Sequence, residues 1–255
     1  MPADALTTKR LRPDPRSNDQ IVVDVHKGTA PAVVYLHGMT SNRTGDKSEH
    51  LLAYARARDL GFARFDFRAH GESDGQLDSL KFSQLVEDTL AVIAEVGPCV
   101  LVGSSMGALA ASWTAAQHPE DVAALVMLSP ALGFLGEMAR ASGSFELRRS
   151  DEKLIEFAND ALRDAEQFDE NKLPNLLNMP VCIVHGSADT TVPLNQSRGL
   201  CAAIPHLDKE LWVIEGGSHS LNEALDIAFR HVGAFLEQRG ITPRLRESPD
   251  GLGQT

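Results

Sequence analysis

Seven short apolar runs recur along this chain, and most are separated by stretches whose apolar residues repeat at helical spacing. The runs are Ile21–Val25 (IVVDV), Ala32–Leu36 (AVVYL), Phe62–Phe67 (FARFDF), Cys99–Gly103 (CVLVG), Ala124–Leu128 (ALVML), Val181–His185 (VCIVH) and Leu211–Ile214 (LWVI). Near-continuous apolar character rich in β-branched residues marks strands buried on both faces, which is the situation in parallel sheets covered by helices. The intervening segments supply those helices. FSQLVEDTLAVIAEV repeats Phe82, Leu85, Val86, Leu90 and Ile93 on one face, and SEHLLAYARARDL, MGALAASWTAAQH and LNEALDIAFRHVGAFLEQ follow the same rule. The pattern predicts an α/β fold with a mostly parallel central sheet flanked by helices. With no internal repeat or low-complexity linker, residues 1–255 read as one domain, a length that can bury a substantial core.

One segment breaks the alternation. Between the runs ending at Leu128 and starting at Val181 lie about fifty residues, more than a single crossover needs. Within it, DEKLIEFANDALRDAEQF reads as an amphipathic helix with Leu154, Ile155, Phe157, Ala161, Leu162 and Phe168 apolar. Residues 131–179 are therefore expected to form a small helical lid over the sheet's carboxyl edge; the alternative is a longer helix and loop packed on the side. Phe134, Leu135 and Met138 follow the turn SPAL at that edge, where open α/β sheets bind ligands, and are expected to line the substrate site.

Charge and motifs narrow the function classes. Thirty-five acidic against 24 basic residues give a net charge of −11, and no Lys/Arg cluster is present. Nucleic-acid binding and adsorption to anionic lipid both need such a cluster. The three cysteines (Cys99, Cys182, Cys201) are odd in number, two of them inside apolar runs, and none has metal-ligand spacing. With no phosphate loop or dinucleotide fingerprint either, no metal and no cofactor are expected. The first thirty residues are polar and no stretch is long enough to span a bilayer, so neither secretion nor stable membrane insertion is expected, and the expected location is cytoplasmic.

The chemistry-bearing feature is Gly103-Ser104-Ser105-Met106-Gly107, set between an apolar run and an Ala-rich helix. A serine on a sharp strand-to-helix turn needs neighbours at −2 and +2 without side chains, and the turn lifts its hydroxyl above the sheet near the helix's positive end. Two partners come after it in order: Asp189 in HGSADTTVP, just beyond Val181–His185, and His219 in EGGSHS, between Leu211–Ile214 and the last helix. As a turn residue alone, Asp189 would cap the next helix. Of the nine histidines, His50, His118 and His231 fall on helices, His26 ends an early strand, and His206 follows Pro205 on the other edge. His37, His70 and His185 sit near the site and read as structural. His219 alone can reach back over Ser105. The reading is a nucleophile (Ser105), a general base (His219) and an acid that orients it (Asp189), with backbone N–H groups of Met106 and Met39 as oxyanion donors.

YLHGM, FDFRAHGESDG, GSSMG, HGSADTTVP and GGSH, in this order and spacing from near residue 20 to residue 238, resemble the α/β-hydrolase superfamily. By that resemblance Asp66, Arg68, Gly71 and Ser73 would pin a loop beneath the site. The combination is similar to small cytosolic acyl esterases of the cinnamoyl-esterase sort, and to the palmitoyl-protein thioesterase branch, from which the chain departs in lacking a visible mitochondrial transit peptide. The resemblance implies hydrolysis of a small or medium acyl ester, or of an acyl-protein or acyl-CoA thioester, with no cofactor. A serine at this position disfavours the dehalogenase and epoxide hydrolase branches, which carry Asp there. Perhydrolase chemistry would use the same residues. A non-catalytic binding protein on this fold would be expected to lack one of the three residues.

Overall fold

The computed structural model describes residues 6–141, 145–148 and 154–244. In chain order the strands are β1 (Thr7–Leu11), β2 (Ile21–His26), β3 (Thr29–Leu36), β4 (Leu60–Asp66), β5 (Cys99–Ser104), β6 (Val122–Leu128), β7 (Phe145–Arg148), β8 (Leu154–Phe157), β9 (Val181–Gly186) and β10 (Lys209–Ile214). The helices are α1 (Asp46–Arg56), α2 (Phe82–Val96), α3 (Met106–Gln117), α4 (Phe134–Arg140), α5 (Asn159–Ala165), α6 (Leu173–Leu176), α7 (Leu194–Ala203) and α8 (Leu225–Gln238). Eight strands form one sheet in the order β1-β2-β4-β3-β5-β6-β9-β10, parallel from β4 to β10, with β2 antiparallel to β4 and to β1. The architecture is the one expected from the apolar runs.

Burial explains why these runs became strands. β4, β5 and β9 are buried along their whole length. One sheet face packs under α2, α3 and the 131–179 segment, the other under α1 and α8. α3 is buried from Met106 to Ala115 because its small residues let it lie close to the sheet. Among the described residues, no helix is long and apolar enough to cross a membrane.

Two elements differ from the sequence expectation. The helix expected over DEKLIEFANDALRDAEQF begins only at Asn159; Leu154–Phe157 is a strand paired antiparallel with β7, and residues 151–153 lie outside the described part. Ile155 and Phe157 are buried while Leu154 and Glu156 are exposed, so period two holds over LIEF. Among its described residues the 131–179 segment thus holds an antiparallel strand pair and three short helices, not a helical lid throughout. The second difference is β1, TTKRL, which is polar and largely exposed and was not legible as a strand. It is an edge strand that gains order by pairing with β2.

Topology fixes where a ligand can sit. The chain runs from β3 to β4 on one side and then to β5 on the other, so the order reverses between β3 and β5. Crevices form at the carboxyl ends of strands at such a switch point. Leu36 of β3 stands opposite Gly103 of β5, so His37-Gly38-Met39 and Ser104-Ser105 leave the sheet side by side.

The loop after β4 is pinned beneath this edge. Asp66 accepts the Arg43 N–H at 2.6 Å and the Glu72 N–H at 3.0 Å, and pairs with the Arg43 guanidinium. Ser73 Oγ donates to Asp66 O at 2.6 Å and accepts from Val22 N–H at 2.8 Å. Gly71, at φ 53°, packs so that a Cβ would lie 2.2 Å from Asp66 Oδ2. Arg68 Nε and its backbone N–H hold the two oxygens of Asp88, at 2.6 and 2.8 Å, with both side chains buried. Arg68→Met would leave Asp88 as an uncompensated buried charge. It should lower the unfolding free energy by about 3–5 kcal/mol, read as a fall in the urea midpoint with the slope unchanged.

Candidate active site

Ser105 is the residue between β5 and α3, with φ 54° and ψ −118°, a backbone that L side chains rarely adopt. Its surroundings hold it there. The Ser105 N–H donates to Leu128 O at 2.9 Å, and its carbonyl accepts from Ala108, Leu109 and Ala131 N–H groups at 3.0–3.2 Å. The two flanking glycines are obligatory. A Cβ on Gly103 would stand 2.4 Å from Ala108 Cα, and one on Gly107 would stand 2.3 Å from His37 O and 2.4 Å from Leu36 O. Ser104, one step earlier, is buried at the end of β5.

His219 lies between its two partners. Its Nε2 is 3.0 Å from Ser105 Oγ and its Nδ1 is 2.7 Å from Asp189 Oδ2. The loops carrying the two residues are stitched together where β9 and β10 end: Ser187 N–H donates to Ile214 O and Ala188 N–H to Gly217 O, both at 2.9 Å. Their approach is so close that a Cβ on Gly186 would lie 2.1 Å from Gly217 O. This approach calls for glycine at 186 and favours it at 217, whereas Gly216 answers to its φ of 71°. The Asp189 side chain is fully buried, which pushes its carboxyl pKa up. The Val192 N–H, His219 and the Thr191 N–H outweigh burial and hold it below the usual carboxylate range. Asp189 thus both ties its own turn and holds His219, its Oδ1 accepting from Thr191 and Val192 N–H groups at 2.8 and 2.9 Å and its Oδ2 lying against His219 Nδ1.

The loop after β3 is organised by two histidines. Phe67 N–H donates to His37 Nε2 at 3.2 Å, so the ring hydrogen sits on Nδ1, which donates to Gly38 O at 2.8 Å. Burial, helped by neighbouring His70, pushes the His37 pKa down to about 3, so it stays neutral. Gly38 O also accepts from Ser41 N–H, and Thr40 N–H donates to His70 Nε2. Across a planar trans peptide the C=O and N–H point opposite ways. With Gly38 O turned onto His37, Met39 N–H is directed away from it. A Cβ on Gly38 would come within 3.9 Å of Ser105 Oγ, so this peptide borders the serine. Met106 is the first residue of α3, and its N–H has no acceptor inside the helix.

The remaining expected residues separate. Leu135 and Met138 are buried in the packing beneath α4, whereas Phe134 is half-buried against the Phe145 ring at 5.6 Å. Glu170, which no sequence motif singled out, accepts the N–H groups of Gly133, Leu135 and Gly136 at 2.7–3.3 Å and so caps α4. It comes from more than thirty residues away, and no local pattern announces it. His118, Glu120 and Asp121 bring ligand atoms within 4.8 Å of one another, but at the end of α3 away from Ser105.

Sheet order, serine turn and the two stitched loops define the class: the chain has the fold of the α/β hydrolases. The model of the serine aminopeptidase, S33 family (Hydrolase_4) matches residues 28–149. The chain is 27% identical over 216 residues to the mouse (Mus musculus) palmitoyl-protein thioesterase ABHD10, mitochondrial, covering 79% of this chain and 73% of the relative. Over a shorter stretch of 122 residues (46% of this chain, 38% of the relative), it is 35% identical to the mouse sn-1-specific diacylglycerol lipase ABHD11. In structure it is similar to alpha/beta hydrolase domain-containing protein 10 from mouse, with a TM-score of 0.80 at 23% identity over 91% of this chain and 99% of that one. It is also similar to ferulic-acid-bound Est1E from Butyrivibrio proteoclasticus, with a TM-score of 0.79 at 21% identity over 90% and 98%.

Proposed function

We propose that the chain is a serine hydrolase that cleaves a carboxylic ester through an acyl-enzyme on Ser105. The observation that carries the reading is the unbroken hydrogen-bond line from Ser105 Oγ through His219 to Asp189. In the first step Ser105 Oγ bonds to the carbonyl carbon while its proton moves to His219 Nε2. Asp189 accepts Nδ1–H, fixes the tautomer and stabilises the imidazolium. The oxyanion is held by the N–H groups of Met39 and Met106. Collapse breaks the bond to the leaving alcohol, which takes the proton from Nε2. Water then repeats the sequence, freeing the acid and restoring Ser105.

A thioester substrate is the second reading, and the relative named as a palmitoyl-protein thioesterase favours it. The residues serve both alike, since only the leaving atom changes. A matched series of oxygen esters and thioesters of rising acyl length tests the two. Turnover of either kind, with a leaving-group burst and acyl mass on Ser105, supports the mechanism; no acyl adduct under turnover would overturn it.

The residue proposed to sense acyl length is Phe134, on α4 just beyond Ala131, whose N–H is bonded to the Ser105 carbonyl. Each acyl methylene buried against it is worth about 0.8 kcal/mol, so a change of two methylenes shifts preference by roughly tenfold. Phe134→Ala should change the kcat/KM ratio between short and medium acyl chains by about that factor. Labelling by a small fluorophosphonate should barely move. A parallel change in both would place the effect in the scaffold.

A further inference from the structure

Asp189 has a second histidine on it. His185 is the last residue but one of β9, four residues before Asp189, and is fully buried. Its Nε2 lies 3.0 Å from Asp189 Oδ2 and 3.0 Å from Val192 O. Both are acceptors, so Nε2 carries the ring hydrogen and shares it between them. Bare Nδ1 then accepts from Ser197 Oγ on α7, at 2.7 Å. Asp189 thus takes the N–H groups of Thr191 and Val192 on Oδ1, and those of His219 and His185 on Oδ2.

We propose that His185 is a positioning residue for hydrolysis, fixing Asp189 and tempering the negative charge that its Oδ2 presents to His219. The proposal rests on the triad reading given above. A carboxylate with donors on both oxygens cannot turn in its socket. An oxygen shared by two N–H groups also attracts the His219 proton less than one held by His219 alone. His185 thereby weakens the hold that Asp189 has on the His219 proton. Burial pushes the His185 pKa down, so it acts as a neutral donor. Ionisable groups on the neighbouring loop include exposed Glu223, bonded to Ser218, and Lys47, bonded to Asn222. Neither is altered by a change at residue 185.

If His185 merely filled space between β9 and α7, replacing it would change stability and nothing else. The test compares His185→Leu, His185→Gln and His185→Asn with the wild type in kcat, KM and the pH profile of kcat/KM. Folding is checked by urea titration. Glutamine can set its amide donor where Nε2 stands; asparagine reaches only the Nδ1 position. His185→Leu should lower kcat by about tenfold to a hundredfold, leave KM nearly unchanged and move the acid limb to higher pH. His185→Gln should restore that limb, and His185→Asn should not. In an Asp189→Asn background His185→Leu should have little further effect. A folded His185→Leu with wild-type kcat and acid limb would overturn the proposal. If that variant does not fold, identical limbs for the Gln and Asn variants would do so. Turnover that survives Ser105→Ala would instead overturn the triad reading, and this proposal with it.

Discussion

Ser105→Ala is expected to lower kcat by about four to six orders of magnitude and to abolish labelling by a fluorophosphonate, with the fold intact. In the proposed mechanism the acyl bond forms on Ser105 Oγ, so residual rate would come only from oxyanion donors and binding. The fold should survive because the turn is held from outside the side chain: Leu128 O, Ala131 N–H and the glycine contacts of residues 103 and 107 all engage backbone. Alanine at φ 54° is no more strained than serine there. Ser104 is buried in β5 with its backbone opposite Leu128, and offers no substitute. Peptide mapping of the labelled wild type should place the adduct on Ser105. Labelling that persists in Ser105→Ala would remove that residue from the chemistry.

How much of this was legible in the chain depended on whether a local pattern had one physical solution. Parallel strands buried on both faces leave near-continuous apolar runs, so β5 and β9 could be read directly. GSSMG was informative because its glycines answer to backbone atoms of Ala108, His37 and Leu36, contacts that any side chain would block. LIEF had two solutions: its apolar residues fit a helix continuing into Ala161 and Leu162, or a four-residue strand. The choice was made by a partner, Phe145–Arg148, that local periodicity does not reveal. β1 was hidden because an edge strand can be polar on both faces. Hydrophobicity marked Phe134, Leu135 and Met138 alike, yet helix phase and the Glu170 cap sent Leu135 and Met138 inward. His185 read as structural because nothing in HGSAD tells a space-filling ring from one bonded to the aspartate four residues on.

The acid's role is tested by the smallest change available to it. Asp189→Asn keeps size and shape, and the site itself dictates how the amide must lie. Thr191 and Val192 N–H groups face Oδ1, so the amide oxygen has to stay there and its NH2 falls where Oδ2 was. That NH2 points at His219 Nδ1, 2.7 Å away in the wild type, and also meets the N–H of His185. Two donors cannot face each other, so His219 is driven to the tautomer with its hydrogen on Nε2. Nε2 is the atom 3.0 Å from Ser105 Oγ, and a protonated Nε2 cannot take the serine proton. We expect kcat to fall by about three to four orders of magnitude with urea stability lowered far less. Nitrogen-15 spectra of histidine-labelled protein should show the His219 hydrogen moved from Nδ1 to Nε2. The wild type should lose activity on acidification, because the base works only unprotonated. Asp189, held below the usual carboxylate range, stays ionised through that fall; its contribution is lost only at still lower pH. Near-normal turnover by Asp189→Asn would mean that another carboxylate orients His219, and Glu223, already bonded to the neighbouring Ser218, would be the first to replace.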